Sequence, residues 1–349
     1  MATAQSRVTD MTRGDPVRLL LNFSAPLFLS NLLQQFYNLA DTALAGHILG
    51  DAALAEIGAT AALYGLIMNF AFGMNNGLAL TVSRLFGAGD EKGVRRATAW
   101  MLALAGATAA VLTVVFVGVR RPLLVLLQVP EASIDGALAY LTLILLGIPL
   151  TMAYNMEAAL LRAIGNSLTP LYFLLFSTVL NIGLDILFIV PFHMGAAGAA
   201  WATVLSQLLS AVLCTIVGLR KYPVLRTRRA DFAGSRIAAA RHLRVGFLMG
   251  FQMSVMCIGQ LVVQACVNKL GTAAVAGYTA ATKVDQLSVL VNTAYQIAIS
   301  GYVAQNYGAH RFDRIREGVR ASLIQLESVN VLMCAAMLLA RRAVVSLFI

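Results

Sequence analysis

Long apolar runs alternate along the chain with short segments where charge, glycine and proline collect. Most runs are near or above the roughly 20 residues that an α-helix needs to cross the hydrocarbon core of a bilayer. The pattern predicts helices over 17–40, 54–84, 95–118, 137–161, 170–191, 195–219, 243–268, 273–304 and 319–340, with the start of a tenth at AVVSLFI, residues 343–349. An all-α polytopic membrane protein is the expected class.

Composition agrees with that pattern. Of 349 residues, 59% are hydrophobic and 12% are charged, against about 25% charged in a soluble domain. The opening MATAQSRVTDMTRGDPVR is polar and mixed in charge, without the short apolar core of a cleaved signal, so the first span is expected to act as its own insertion signal. Cys214, Cys257, Cys266 and Cys334 lie in apolar runs without CxxC spacing and read as small buried hydrophobes. The net charge of +10 follows topology and does not point to nucleic acid, because Lys and Arg collect in cytoplasmic loops. Basic residues are dense before the first span (Arg7, Arg13, Arg18), after the second (Arg84, Lys92, Arg95, Arg96) and fourth (Arg162), and above all after the sixth, in RKYPVLRTRRADFAGSRIAAARHLR. They are dense again after the eighth (Arg311, Arg314, Arg316, Arg320), whereas the intervening loops are leaner or balanced by acids. The alternation predicts a multi-pass protein of the cell (inner) membrane with a cytoplasmic N-terminus.

The basic segment after the sixth span divides two similar halves. LGDAALA at 49–55 matches LGTAAVA at 270–276, and the same 221-residue offset lays RLFGAGDEKGVRR over QNYGAHRFDRIRE, placing Gly87 on Gly308, Ala88 on Ala309 and Arg95 on Arg316. Since the linker follows an even number of spans, the repeat is parallel, which predicts two bundles about an axis along the membrane normal with a substrate site between them. The expected organisation is a six-helix N-lobe over 1–219, a cytoplasmic linker over 220–242 and a C-lobe over 243–349. That C-lobe is expected to be incomplete, holding helices seven to nine and the start of the tenth.

Ionisable groups within a membrane cost on the order of 2.5–3.5 kcal/mol at a helix centre and need a partner or a cavity. Asp41 ends the first predicted span. Asp185 lies inside the fifth, with Asn181 one turn before it on the same face, and the sixth offers Thr203 and Gln207, again one turn apart. Two carboxylates with an amide and a hydroxyl are hard oxygen ligands suited to Na⁺. The same pair could instead share one proton. A second polar set, Lys283, Asp285, Gln286 and Asn292, occupies the eighth span, where Lys283 and Asp285 diverge by about 200° and cannot form a simple pair. Glu157 and Arg162 suit either an internal ion pair or substrate contact. Tyr37, Met253 and Met256 belong to the aromatic and methionine side chains on helices expected to line the interface between halves, where soft thioethers and aromatic faces suit varied apolar cations.

These residues resemble the multidrug and toxic compound extrusion (MATE) transporters along nearly the whole chain. The matching stretches are PLFLSNLLQQFYNLADTALAGHILGDAALAEIGA, VSRLFGAGDEKGVRRA, LRAIGNSLTPLYFLLFSTVLNIGLDILFIV, GAAGAAWATVLSQ and VAQNYGAHRFDRIRE. The resemblance implies twelve helices in two six-helix lobes related by pseudo-two-fold symmetry, of which 9–10 are present here. It also implies export of cationic or amphipathic compounds in exchange for Na⁺ or H⁺, with no other cofactor. The family's N-lobe cation site falls on Asp41, Asn181, Asp185 and Thr203. Its further expectations are a monomer in the lipid bilayer and small-molecule substrates as partners. In the seventh span Gln252, Gln260 and Gln264 stand where some members carry a coupling glutamate. A flippase for a lipid-linked oligosaccharide is the alternative within the superfamily and would require a more cationic cavity, for which Lys283 is the candidate. An enzyme is not expected: His47, His193, His242 and His310 fall in loops or at helix edges, and neither HExxH nor GxSxG occurs.

Overall fold

The computed structural model describes residues 8–49, 51–127, 129, 131–232 and 236–339. Among the described residues ten α-helices follow one another: α1 Pro16–Leu44, continued by a π turn Ala45–Leu49, α2 Asp51–Gly87, α3 Glu91–Leu126, α4 Glu131–Leu146 and α5 Ile148–Ala163. They are followed by α6 Leu168–Ile189, α7 Gly195–Lys221, α8 Arg236–Asn268, α9 Thr272–Gly308 and α10 Phe312–Leu339. Among the described residues, eight helices are long and apolar enough to cross a membrane, and nine spans result when α4 and α5 count as one bent pair. Their outer faces carry large exposed apolar side chains, such as Val114 at 72% and Leu126 at 76% exposure, as expected where the solvent is lipid.

Three expectations shift. The first helix continues past residue 40, so Asp41 lies within α1. The span expected over 137–161 is bent by 41° between Leu146 and Ile148, because Pro149 sits in the first turn of α5 without an N–H. The interhelical linker is shorter than 220–242, since α7 runs through Lys221 and α8 starts at Arg236; two 3-10 turns, Pro223–Leu225 and Arg229–Phe232, lie between. The tenth-helix start at 343–349 lies outside the described residues.

Local sequence explains the turn between α2 and α3. Gly89 takes a left-handed φ of 71°, and Asp90 then caps α3 by accepting from the Gly93 N–H at 2.8 Å. The first bundle, α1 to α7, has its core between α2, α3, α4 and α5, where Leu78, Met101, Leu141, Leu145 and Ile148 have no measurable exposure.

The second bundle meets the first through small residues. Gly73 and Gly77 of α2 and Gly246 and Gly250 of α8 both have GxxxG spacing, and a Cβ built on Gly77 would stand 2.8 Å from the Gly246 Cα. The two backbones therefore lie against each other, as small-xxx-small pairs allow. Further along, a Cβ on Gly87 would strike the Gln305 carbonyl, and one on Gly308 would strike the Arg84 carbonyl. Arg84 and Gln305 are themselves related by the 221-residue offset, so the repeat seen in sequence is a reciprocal contact between α2 and α9.

Residues 8–14 bolt this end together. The Thr9 N–H donates to Gly165 O at 3.0 Å, and the Met11 N–H donates to Gln305 Oε1 at 3.2 Å. Gln305 Nε2 donates to Ala163 O at 3.0 Å, while Asn306 Nδ2 donates to Met11 O at 3.0 Å. Arg314 Nη2 donates to Gly14 O at 2.9 Å. One buried glutamine thus ties the N-terminal strap, the end of α5 and α9. Side chains are exposed along the length of α8 and in the loop after it, including Leu248 at 58%, Met256 at 57% and Leu270 at 74%.

Candidate functional site: an acidic chamber in the first bundle

Helix α6 is apolar enough to span, yet it turns Ser177, Asn181 and Asp185 inward at four-residue spacing, all without measurable exposure. The Asn181 amide bridges two elements. Its NH₂ donates to Asp185 Oδ2 at 3.1 Å, and its oxygen accepts from the Thr203 backbone N–H at 3.3 Å. Helix α7 adds the Thr203 hydroxyl, which accepts from Tyr37 Oη of α1 at 3.2 Å. Asp41, one turn after Tyr37, completes the convergence: the charges of Asp41 and Asp185 act on each other, and both reach Tyr37 and Tyr140 of α4. Asp41 Oδ1 and Asp185 Oδ1 are buried without a hydrogen-bond partner.

Unpaired buried acceptors are uncommon in native structures and call for a reason. Two carboxylates with free oxygens, an amide and a hydroxyl make an acidic pocket that a small cation or a proton would satisfy. Among the described residues no three of His, Cys, Asp and Glu group together as a metal centre, and the donors gathered here are hard oxygens.

The structure thus brings Asp41, Asn181, Asp185 and Thr203 together, and it puts Tyr37 beside them, away from the second polar set. Lys283, Asp285 and Gln286 are exposed along α9, and Asn292 accepts from Asn330 of α10 at 3.2 Å. Glu157 and Arg162 form no ion pair: Glu157 faces Thr215 and Gly218 of α7, whereas Arg162 Nη2 donates to Asn76 Oδ1 of α2 at 3.3 Å. Met253 lines a crevice between the bundles, with Phe72, Asn76, Arg162 and Gln296, but Met256 is not part of its wall. Tyr140, absent from the candidates above, lies within range of both carboxylate charges, and Tyr64 of α2 within electrostatic range of Tyr37. Both are tyrosines inside apolar spans, and that was their only signal.

The MatE family model matches residues 26–187 and 249–349. The chain belongs to the MatE family. It is 32% identical over 311 residues to the probable multidrug resistance protein YpnP of Bacillus subtilis (strain 168), covering 88% of this chain and 68% of that protein. It is 28% identical over 332 residues to the probable multidrug resistance protein YoeA of the same organism, covering 93% and 72%. A crystal structure of MATE in the bent conformation superposes with a TM-score of 0.91 at 23% identity, covering 100% of this chain and 77% of that one. That likeness carries the MatE fold, two packed helical bundles. MatE proteins are transporters, not enzymes, so this chain is a membrane transporter that handles small molecules.

Proposed function

We propose that the chain is a secondary active efflux transporter, exporting amphipathic organic compounds, cations among them, in exchange for Na⁺ or H⁺ bound at Asp41, Asn181, Asp185 and Thr203. The observation that carries this reading is the pair of unpartnered carboxylate oxygens within one buried chamber. A site whose acids act on each other's charge changes character with each ion that enters or leaves, which is what coupling needs. By the distribution of basic loops, the end closed by residues 8–14 faces the cytoplasm, so the bundles are sealed inward. An external cation that neutralises Asp41 and Asp185 removes their mutual repulsion and lets α1 and α6 draw together. Helix α1 carries Asp41 near one end and leads into the strap at the other, with Pro26 between them removing one backbone N–H and leaving a soft point. Movement at the chamber can therefore reach the seal along one helix.

The test is dye efflux from cells producing the chain, with Na⁺ and pH gradients varied separately. We expect Asp41→Asn and Asp185→Asn each to lower gradient-driven efflux at least tenfold while membrane levels hold. Wild-type rates in both variants would refute the coupling site.

A further inference from the structure

Among the described residues, the crevice between the bundles contains one cation that the acidic chamber does not explain. Arg162, in the last turn of α5, reaches in beside Asn76. The Asn76 amide is held by its own donation to Phe72 O at 2.8 Å, which turns its oxygen to the guanidinium. Arg162 Nε is buried without a partner. Among the described residues the ion pairs are Arg13–Asp10 and Arg95–Glu91, so no carboxylate neutralises Arg162. A basic residue at a helix C-terminus ordinarily serves the free carbonyls there, but the hydrogen bond formed here crosses to α2 instead.

A half-buried guanidinium with an unpartnered Nε and no counter-charge is costly, and its planar fork matches a carboxylate, which accepts two parallel N–H bonds. The surrounding wall suits the rest of such a molecule. Phe72, Met249 and Met253 supply an apolar surface, while Gln296 and Ser300 supply donors.

We propose that Arg162 is an anion subsite of this crevice, pairing with the carboxylate of an amphiphile whose apolar body lies against Phe72, Met249 and Met253. The exported compounds then include zwitterions and amphiphilic carboxylates as well as cations. The inference rests on the efflux reading and sharpens its substrate class.

A matched dye pair tests it: a xanthene dye as its free carboxylic acid, a zwitterion, and as its methyl ester, a cation of nearly equal size. Binding to the purified chain is read by fluorescence polarisation and export by efflux. In Arg162→Gln the acid should bind at least tenfold more weakly and lose export, while the ester changes less than twofold; Arg162→Lys should restore part of the difference. Equal weakening of both dyes, or of neither, would overturn the subsite. A second measurement needs no variant: with the wild-type chain, dodecanoate should displace the acid dye and dodecanol should not, and equal displacement by the two would also overturn it. Failure of the efflux reading is distinguishable, since the wild-type chain would then export neither dye.

Discussion

Asp185 is buried in a helix that otherwise reads as a membrane span. Its Oδ2 is held by Asn181 and its Oδ1 is free, so one oxygen is positioned and the other remains to be satisfied. Asn181 is the residue that imposes this arrangement, since it joins the carboxylate on α6 to the backbone of α7 at Thr203. Removing one partner from a buried polar pair costs about 1–3 kcal/mol. Asn181→Ala is therefore expected to weaken apparent affinity for the coupling ion by roughly tenfold or more, a change of about 1.4 kcal/mol. Efflux measured against external Na⁺ and against pH checks this, and an unchanged half-saturation for both would remove Asn181 from the site. Tyr37→Phe should act more mildly, because it removes only the hydrogen bond to Thr203 and keeps the ring.

Packed helices, and not single side chains, decide how the bundles meet. The crossing of α2 and α8 depends on Gly73, Gly77, Gly246 and Gly250, and the crossing of α2 and α9 on Gly87 and Gly308, each facing the other helix's backbone. Adding one methyl group at either of the latter positions forces backbones apart, and overpacking of this kind typically costs 1–3 kcal/mol. Gly87→Ala and Gly308→Ala should each destabilise the sealed end and leave the acidic chamber intact. The expected readout is faster modification of a cysteine placed at Ser83, with ion-dependent stability retained. Equal labelling rates in parent and variants would show that the contact does not hold the seal. Gly165 is a third such point: its φ of 88° favours glycine and the Thr9 carbonyl fills the space where a side chain would go.

At the scale of the whole molecule, the strap and the chamber lie towards opposite ends of α1. Gln305 holds the strap and α5 to α9 with both ends of its amide, so Gln305→Leu is expected to leave the Met11 N–H and the Ala163 carbonyl unpaired and to shift the population away from the sealed state. Cysteine accessibility at Ser83 should rise several-fold, and unchanged accessibility would count against the latch. Ion binding at the chamber makes a separate global prediction. A ligand that binds only the folded state stabilises it by about 2.7 kcal/mol at a hundred times its Kd. Thermal unfolding of the purified chain should therefore shift upward with Na⁺ or with falling pH, and the shift should vanish in Asp185→Asn. A shift of equal size in that variant would separate the stabilising ion from this site.

Much of this was legible along the chain, for identifiable reasons. Helix periodicity placed Asn181 and Asp185 on one face, and the cost of burying charge in lipid marked them, with Asp41, as residues needing a purpose. The 221-residue offset put Gly87 and Gly308 at equivalent positions of the repeat, and only the packing showed those positions to be in reciprocal contact. The bend between α4 and α5 was less visible, since the apolar run continues across Gly147 and hydropathy does not register a missing N–H at Pro149. The second polar set on α9 carried the right residue types for a site, but no second helix brings them together.

By itself the sequence determined the number of spans, the parallel repeat and the acids that a membrane would not tolerate idle, because each follows from local composition and a fixed helical period. Only the tertiary structure decided which polar groups share a space. Tyr140 reaches the acids, Gln305 and Asn306 close the seal, and Arg162 faces a crevice instead of Glu157, because those relations depend on helix azimuth and crossing, which the packing of distant backbones sets.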